Sequence, residues 1–154
     1  MSHTASVRAA VTVDLEPDEA FAVFTEEIDR WYRRGPHAFA DPRAVGIRFE
    51  AGVGGRLIHV VDADTGEGVT AGKITVWEPG RRLVFVDDRG TEIEVTFDDE
   101  GGQTRVVLEH RGLERLRPDL ADRHGRFGGR LLLSWYVAYV RARQSKPNDE
   151  GSRP

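Results

Sequence analysis

A long apolar helix near the end of the chain most constrains the fold. Its spacing predicts one helix over residues 119–143, and the strongly apolar part starts at Leu131. The main stripe, at helical spacing, consists of Leu132, Trp135, Tyr136 and Tyr139. It is widened by Leu131, Leu133, Val137 and Val140. A helix that is apolar around most of its girth needs cover on more than one side. Gly128 and Gly129 indicate a kink or a close approach to a neighbouring element, since glycine costs about 1 kcal/mol in a helix.

A run of short strands earlier in the chain can supply that cover. Strand-like segments alternate there with turns rich in glycine and aspartate. The predicted strands are 45–51, 56–63, 69–78, 82–86, 91–97 and 103–111. Turns at this spacing are typical of an antiparallel meander.

The segment before the meander predicts one further strand and a helical pair. Residues 7–13 alternate between apolar and polar, which indicates a strand with one face on the core. Pro17 suits a first helical turn, and apolar residues at helical spacing predict one or two short helices over 17–32. Residues 33–44 then form an irregular loop that contains two prolines.

This order of elements predicts an α+β fold. A curved antiparallel sheet of about seven strands would wrap around a long C-terminal helix, with two short helices after the first strand. The length of 154 residues suits one domain. We assign that domain to residues 1–144 and expect the polar segment 145–154 to be a disordered tail. Because a helix across a concave sheet need not fill the space beneath it, we expect a mostly apolar cavity there.

Five short strings carry a pattern that this chain shares with known proteins. They are Pro17-Asp-Glu-Ala-Phe-Ala-Val-Phe-Thr25, Glu50-Ala-Gly-Val-Gly-Gly-Arg56, Gly72-Lys-Ile-Thr-Val-Trp-Glu-Pro-Gly-Arg-Arg-Leu83, Thr104-Arg-Val-Val-Leu-Glu-His-Arg-Gly112 and Phe127-Gly-Gly-Arg-Leu131. With the order of elements, they resemble the START-like superfamily, also called the polyketide cyclase or SRPBCC superfamily. The most similar branch is the bacterial homologues of the activator of heat-shock-protein ATPase. The resemblance spans about residues 7–140 and departs from the family's Gly-Trp motif, since no tryptophan follows Gly128 and Gly129.

The resemblance implies a helix-grip fold and leaves the activity open. The shared strings are mostly turn and packing residues. The superfamily includes ligand carriers, cyclases, hydrolases and chaperone-linked proteins, so the fold does not select among them.

Composition narrows the classes of function. The absence of cysteine excludes disulfides and thiolate chemistry. A net charge of −4 argues against nucleic acid as a partner. No apolar run approaches the roughly 18 residues of a membrane-spanning helix, and the first residues lack the features of a signal peptide. We therefore expect a cytoplasmic protein without stable membrane insertion. No spacing of histidine and carboxylate residues indicates a metal site, and we expect no cofactor.

The candidate ligand-binding residues are side chains expected to face the cavity. They are Phe24, Trp31, Phe39, His59, Phe97, Leu108, His110, Trp135 and Tyr139. The two histidines supply the polar contacts, and they could orient a ligand or act as acid and base near neutral pH. His110 shares a strand face with Leu108, whereas the pattern does not decide the face of His59. Two ordinary hydrogen-bonded histidines are the alternative, and no residue is assigned as catalytic.

Some charged residues are weaker candidates for the functional site. Glu50, Asp87 and Glu109 lie at strand ends or within strands, and burial in an apolar cavity would raise the pKa of such a carboxyl group. Arg56 and Arg130 each follow two glycines and could hold a ligand carboxylate or phosphate. Surface ion pairs are the alternative for both arginines.

We therefore expect the protein to bind a small hydrophobic or amphipathic molecule between the sheet and the C-terminal helix. One alternative is a cyclase- or hydrolase-like enzyme that uses the same cavity, with His59 or His110 as acid or base. A second alternative, implied by the resemblance, is a module that acts on a chaperone ATPase and needs no cavity. An exposed edge strand would also allow two copies to pair as a homodimer. An open cavity on the order of a few hundred Å³ would favour the first two functions.

Overall fold

The computed structural model describes residues 6–32, 43–115 and 129–145. The elements in chain order are β1 (Val7–Val13), α1 (Pro17–Glu26), α2 (Ile28–Trp31), β2 (Gly46–Phe49), β3 (Arg56–Val60), β4 (Gly68–Glu78), β5 (Arg82–Asp87), β6 (Glu92–Asp99), β7 (Thr104–Arg111) and α3 (Gly129–Ser145). A short 3-10 turn, Leu113–Arg115, follows β7. The predicted order of strand, helical pair, meander and C-terminal helix is confirmed.

The strands form one seven-stranded antiparallel sheet in the order β1-β7-β6-β5-β4-β3-β2. The meander runs from β2 to β7, and β1 adds to it by pairing with β7, where Val7 lies opposite His110. Register shifts between Leu57 and Ile58 and between Ile74 and Val76 interrupt the ladders. Such bulges bend a strand and increase its twist, which curves the sheet. The predicted α+β helix-grip fold is therefore confirmed.

Two predicted strands end earlier than expected because the turns that follow them use side-chain hydrogen bonds. The second and third strands were predicted over 45–51 and 56–63, and they span Gly46–Phe49 and Arg56–Val60. After β3, the carboxylate of Asp62 accepts the backbone N–H of Asp64 at 3.0 Å. This local bond replaces ladder pairing at the start of the turn.

The two faces of the sheet differ in chemistry. Buried apolar side chains such as Leu83, Val95 and Val106 cover the inner face, and each is fully shielded from solvent. Ion pairs cover the outer face, where Arg111 lies 2.9 Å from Glu94. Arg111 also pairs with Glu92 and Glu109, and Arg82 pairs with Glu94. The alternating pattern of the strands thus directs the apolar core and any apolar cavity to the inner face.

An aromatic cluster joins the three helices above the inner face. Phe24 of α1 contacts Trp31 of α2 and Tyr136 of α3, with ring centroids 5.0 and 5.2 Å apart. The indole N–H of Trp31 donates to the carbonyls of Val23 and Phe24, both at 3.2 Å. The hydroxyl of Tyr136 donates to the carbonyl of Ala20 at 2.8 Å. These bonds satisfy the polar atoms that the aromatic side chains bring into the core.

Helix α3 buries a narrower stripe than its sequence predicted. Its most buried side chains are Leu133, Tyr136 and Val140. Leu132, Trp135 and Tyr139, which belong to the predicted stripe, are only partly buried. The physical reason is that, among the described residues, α3 packs mainly on β1, with further contacts to β7 and α2. The predicted start over residues 119–128 lies outside the described residues, and the helix continues to Ser145, one residue into the predicted tail. The rest of that tail is also outside the described residues.

Gly129 provides the close approach that the sequence indicated. A Cβ atom at this position would lie 3.0 Å from Cδ2 of Leu108 on β7. A real Cβ contact of that length would force Leu108 to move, so glycine lets the first turn of α3 rest directly on the sheet. Gly128 lies outside the described residues.

Across the described ranges, none of the helices combines the length and the apolar character needed to cross a membrane.

Candidate functional site

A cavity of about 370 Å³ lies between the inner face of the sheet and the helices. Helices α1, α2 and α3 and strands β2 to β7 all contribute to its described wall. Period-two alternation places the lining residues together: Ile47 and Phe49 of β2 lie opposite His59 and Leu57 of β3. Much of the remaining wall is apolar or aromatic, with Phe24, Ile28, Trp31, Phe85 and Leu132 among its residues.

Five of the nine predicted ligand-binding residues lie on this wall. They are Phe24, Trp31, His59, Leu108 and His110. They come from the consecutive helices α1 and α2 and from strands β3 and β7, and the curvature of the sheet brings them around one space. Their role in binding stays a prediction.

Three other predicted residues are placed away from the described wall. Phe97 is buried under α1, where its ring packs against Phe21 and Phe24 at centroid distances of 5.2 and 5.8 Å. Trp135 packs edge-on against Tyr32 at 5.3 Å. The hydroxyl of Tyr139 donates to the carboxylate of Glu27 at 2.6 Å. These side chains connect elements of the fold, since Phe97 joins β6 to α1, and Trp135 and Tyr139 join α3 to the helical pair.

Phe39, the ninth predicted residue, lies outside the described residues. Tyr32 precedes that segment and lines the cavity. Trp31 is a fixed part of the wall, since it is 2% exposed and its N–H is bonded to α1.

The structure decides the face of His59. Its side chain lines the cavity and is 9% exposed. On the sheet it lies between Ile47 of β2 and Val69 of β4. His59 and His110 therefore both belong to the inner face, on strands separated by β4, β5 and β6.

A hydrogen-bonded chain of three side chains ends at His110. The carboxylate of Asp87 accepts the hydroxyl of Thr91 at 2.7 Å through Oδ2. Its Oδ1 accepts the backbone N–H groups of Arg89 and Thr91 at 3.0 and 2.9 Å. The hydroxyl oxygen of Thr91 lies 2.8 Å from Nε2 of His110. Four hydrogen bonds thus hold the Asp87–Thr91–His110 chain in one arrangement.

The direction of this chain determines the tautomer of His110. A threonine hydroxyl has one proton, and here Thr91 gives it to the carboxylate of Asp87. Its oxygen can therefore only accept from His110, so Nε2 carries the proton. In the neutral ring, Nδ1 is then the atom with the lone pair.

The electrostatics of the site favour the neutral form of His110. Burial lowers the pKa of His110 below its usual value, and the nearby Asp87 carboxylate opposes this effect. Burial is the larger cause because the charged ring would lose its hydration. At neutral pH, His110 is thus a neutral ring that donates through Nε2 to the hydroxyl oxygen of Thr91.

The sequence singled out Asp87 as a charged candidate, but it did not place the rest of the turn between β5 and β6 in the site. Asp87, Asp88 and Arg89 line the cavity, and the last two are solvent-exposed, so the cavity reaches the surface beside this turn. Thr91 was also missed. The signal was available, because Asp87 follows Phe85 and Thr91 precedes Ile93 by two residues, which places both on the inner face.

The other charged candidates lie elsewhere. Arg56 makes two side-chain hydrogen bonds to Glu50, at 2.9 and 2.7 Å. The bond from Arg56 lowers the pKa of Glu50 to about 2. Glu109 pairs with Arg111 on the outer face. Arg130 borders a smaller hollow of about 170 Å³ between β1 and α3. For Arg56 the alternative of a surface ion pair is the one observed.

Fold and site together define a helix-grip protein of the START-like class, with a cavity between sheet and helices. Residues 14–127 match the family described as "Activator of Hsp90 ATPase homolog 1-like protein". Since this match covers more than half of the chain, the protein belongs to that family, and the resemblance found in the sequence is confirmed.

Solved structures of similar proteins agree with this assignment. One is titled "An anthrahydroquino-Gama-pyrone synthase Txn09 complexed with SUM"; it is 30% identical, with a TM-score of 0.59 over 86% of this chain and 95% of that one. An AHSA1-like protein from Aeromonas hydrophila is 23% identical, with a TM-score of 0.60 over 90% of this chain and 94% of that one. CalU16 from Micromonospora echinospora is 19% identical, with a TM-score of 0.60 over 96% and 91%. The last two show the fold alone. Among curated proteins, none matches the sequence.

Proposed function

We propose that this protein binds a small hydrophobic or amphipathic molecule in the cavity between sheet and helices. The observation that carries the proposal is a largely apolar cavity of about 370 Å³ with a few polar side chains on its wall. Cavities on the order of 300–1,000 Å³ with a few well-placed polar groups are typical of sites for small organic molecules.

The apolar wall would supply most of the affinity. Removal of ligand surface from water contributes about 25 cal/mol per Å² of apolar area. Phe24, Trp31, Phe49 and Phe85 present aromatic rings around the space, which favours a flat ligand that can pack against ring faces and edges.

The polar groups would orient the ligand. His110 and the Asp87–Arg89 turn lie where β5, β6 and β7 meet the cavity, and His59 faces it from β3. Arg89 is exposed at the opening and can hold an acidic ligand group there. The ligand class that fits this distribution has an apolar body and at least one oxygen-bearing end.

A second candidate function is catalysis of a cyclase type. Two observations favour it: the 30% identity to a protein titled a pyrone synthase, and the fixed tautomer of His110 on the cavity wall. Such an enzyme would use the cavity to hold a reactive chain in a productive fold, with His110 as a positioned acid or base. Product formation that persists in a His110→Gln, His59→Gln double variant would rule out histidine catalysis.

The family name also suggests action on a chaperone ATPase. That function requires a protein surface rather than a cavity, and the open cavity therefore favours the ligand-binding proposal. A change in the ATPase rate of a chaperone on addition of this protein would support the chaperone-linked function. A cytoplasmic location and pairing of two copies through an edge strand stay proposals as well.

The test is to fill the cavity. Ala71 lies on the cavity wall, so Ala71→Phe would place a ring in the space. Ala10 lies exposed on the outer side of β1, so Ala10→Phe is a matched control. We expect Ala71→Phe to weaken binding of the amphipathic probe 1-anilinonaphthalene-8-sulfonate about tenfold or more, which corresponds to a loss of about 1.4 kcal/mol of binding free energy. Ala10→Phe should bind the probe as the wild type does. Equal affinity of a folded Ala71→Phe variant would contradict the proposal.

Native mass spectrometry of the purified protein provides an independent measurement. A co-purifying aromatic or lipidic molecule that is absent from Ala71→Phe would identify the ligand class. The same molecule bound equally by both proteins would place its site outside the cavity.

A further inference from the structure

We propose that the cavity selects a flat apolar carboxylic acid, whose body packs on the apolar wall and whose carboxylate pairs with the guanidinium of Arg89 at the opening. The inference rests on the proposed ligand-binding function and deepens it, because it names the ligand class and the residue that selects this class. Asp88, the neighbour of Arg89, acts in the opposite sense and limits the affinity.

The first step is the fixed backbone of the turn that carries Arg89. The N–H of Gly90 donates to the carbonyl of Asp87 at 3.0 Å, and the side chain of Asp87 accepts the N–H of Arg89 at 3.0 Å. Gly90 has a φ of 86°, a conformation that glycine adopts without strain. The N–H of Asp88 donates to the carbonyl of Ala71 at 3.0 Å, which ties the turn to β4. The backbone under Arg89 is therefore preorganised, so it loses little freedom when a ligand binds.

The second step is the state of the Arg89 side chain. Arg89 is exposed and borders the cavity, and its guanidinium makes no ion pair within the described part of the chain. By contrast, Arg56, Arg82 and Arg111 each pair with a glutamate. A guanidinium matches a carboxylate through two parallel hydrogen bonds. Arg89 can therefore bind a ligand carboxylate without first breaking an internal ion pair.

The third step is why the opening favours an anion although two aspartates precede Arg89. The carboxylate of Asp87 already accepts the hydroxyl and the backbone N–H of Thr91 and the N–H of Arg89. These three bonds use most of the accepting capacity of a carboxylate. Asp88 is exposed, and its repulsion of a ligand anion acts through solvent. Arg89 instead forms direct, charge-assisted hydrogen bonds, so its attraction is the larger effect.

The fourth step is the place of the apolar body. Phe85 is buried two residues before Asp87 on the inner face, so the wall becomes apolar directly inside the opening. Val69 and Ala71 of β4 continue this apolar wall. A flat body attached directly to the carboxylate packs on these side chains, while the charged group stays at the opening and keeps part of its hydration.

Three probes of one shape and different charge test the inference. At pH 7.5, 2-naphthoate is an anion, 2-naphthamide is neutral and 2-naphthamidine is a cation. We expect the wild type to bind 2-naphthoate about fivefold more tightly than 2-naphthamide, the upper end for an ion pair that water can reach. It should bind 2-naphthamidine most weakly. Isothermal titration calorimetry gives the three affinities, and their ratios within one protein cancel any general effect of a substitution on the cavity.

Variants then assign the preference to one side chain. Arg89→Gln should lower the preference for 2-naphthoate over 2-naphthamide to about one and retain the affinity for the amide. Arg81→Gln is the matched control, because it removes the same charge from an exposed position at the opposite end of β5, away from the described cavity wall. This control should keep the preference. Asp88→Asn should raise the affinity for 2-naphthoate, because it removes a repelling charge. Ala71→Phe should weaken binding of all three probes.

The outcomes distinguish this inference from the function on which it rests. Equal wild-type affinity for 2-naphthoate and 2-naphthamide, or tighter binding of 2-naphthamidine, would overturn the inference and leave the ligand-binding cavity in place. A preference that persists in Arg89→Gln, or that is lost equally in Arg81→Gln, would overturn the role of Arg89 and with it the inference. Failure of all three probes to bind the wild type would overturn the ligand-binding proposal itself, and the inference with it.

Discussion

Nε2 of His110 lies 2.8 Å from the hydroxyl oxygen of Thr91, although the two residues are 19 positions apart in the chain. The contact forms because β6 and β7 pair antiparallel, with His110 opposite Ile93 and Thr91 just before the start of β6. It ties a titratable ring on the cavity wall to a turn at the cavity opening. The first two predictions below follow from this contact.

The protonation of His110 should make stability depend on pH. Burial lowers the pKa of His110 in the folded state, so between that pKa and the unfolded value of about 6.5 the unfolded chain binds more protons. Stability should therefore be fully present above pH 6.5 and fall as pH decreases through this window, by at most about 1.4 kcal/mol per pH unit. Among the described residues, the groups that face His110 include Asp87 from β5 and Thr91, and Asp87 partly offsets the effect.

Urea denaturation of the wild type and a His110→Gln variant at pH 7.5 and 5.5 would measure this contribution. The other histidines are present in both proteins, so the difference in pH dependence isolates His110. The same pH dependence in both proteins would contradict the lowered pKa.

Asp87→Asn should reverse the Asp87–Thr91–His110 chain. An amide NH₂ in place of Oδ2 would donate to Thr91, whose hydroxyl would then donate to Nε2 of His110 and move the ring proton to Nδ1. Loss of the carboxylate charge should also lower the pKa of His110 further, because Asp87 raises it in the wild type. An NMR titration of His110 reports both changes.

Asp88→Asn is the matched control for this prediction. Asp88 is exposed beside Asp87 and borders the same cavity, but Asp87 holds the hydrogen bonds to Thr91. The control should leave the tautomer unchanged. An equal effect of both substitutions would mean that net charge, rather than the hydrogen-bonded chain, governs His110.

The hydroxyl groups of two tyrosines of α3 should contribute differently to the free energy of unfolding. The Tyr136 hydroxyl is fully buried and bonds to the carbonyl of Ala20, so Tyr136→Phe should cost about 1 kcal/mol of unfolding free energy. The Tyr139 hydroxyl bonds to Glu27 nearer the surface, where water can replace it, so Tyr139→Phe should cost less. Urea denaturation of the two variants compares them directly, and a larger loss in Tyr139→Phe would contradict the assigned roles.

Gly129 and Leu108 should be energetically coupled. A Cβ at position 129 would press on Cδ2 of Leu108, so Gly129→Ala gains helix propensity but crowds β7. Leu108→Val removes Cδ2 and should relieve the crowding. We expect the effect of Gly129→Ala on the free energy of unfolding to be about 1 kcal/mol more favourable in the Leu108→Val protein than in the wild type. A double-mutant cycle measures this difference. Additive effects would mean that the first turn of α3 moves away from the sheet at no cost.

Local sequence patterns were sufficient to predict the strands and helices of this fold and their order. Glycine- and aspartate-rich turns divided the chain into strands, and alternation within β6 and β7 identified the inner face that carries Val95, Leu108 and His110. The bounds of β2 and β3 were less accurate, because side-chain bonds in the adjoining turns end the ladders early. Periodicity also placed the stripe of α3 about one residue away from the most buried positions, since a helix that is apolar on several sides does not itself indicate which side meets the sheet.

The residues of the candidate site could not all be predicted from the sequence, because contacts between distant segments decide which side chains line the cavity. Phe97 and Leu108 are alike in sequence terms, both on inner-face positions of neighbouring strands, yet only Leu108 lies on the described cavity wall. The aromatic packing of α1 above Phe97 fills the space at that end of the sheet, while the wall beside Leu108 stays open. No local pattern encodes which part of a concave face a helix will cover.

The sequence by itself determined the helix-grip fold, the family and the inner face of the last strands, because these follow from alternation, turn chemistry and short shared strings. Only the tertiary structure decided that His59 faces the cavity and that Asp87, Thr91 and His110 form one chain. The physical reason is that strand pairing and sheet curvature join residues far apart in the chain. Side-chain hydrogen bonds, and hence tautomers and pKa values, exist only once that register is set.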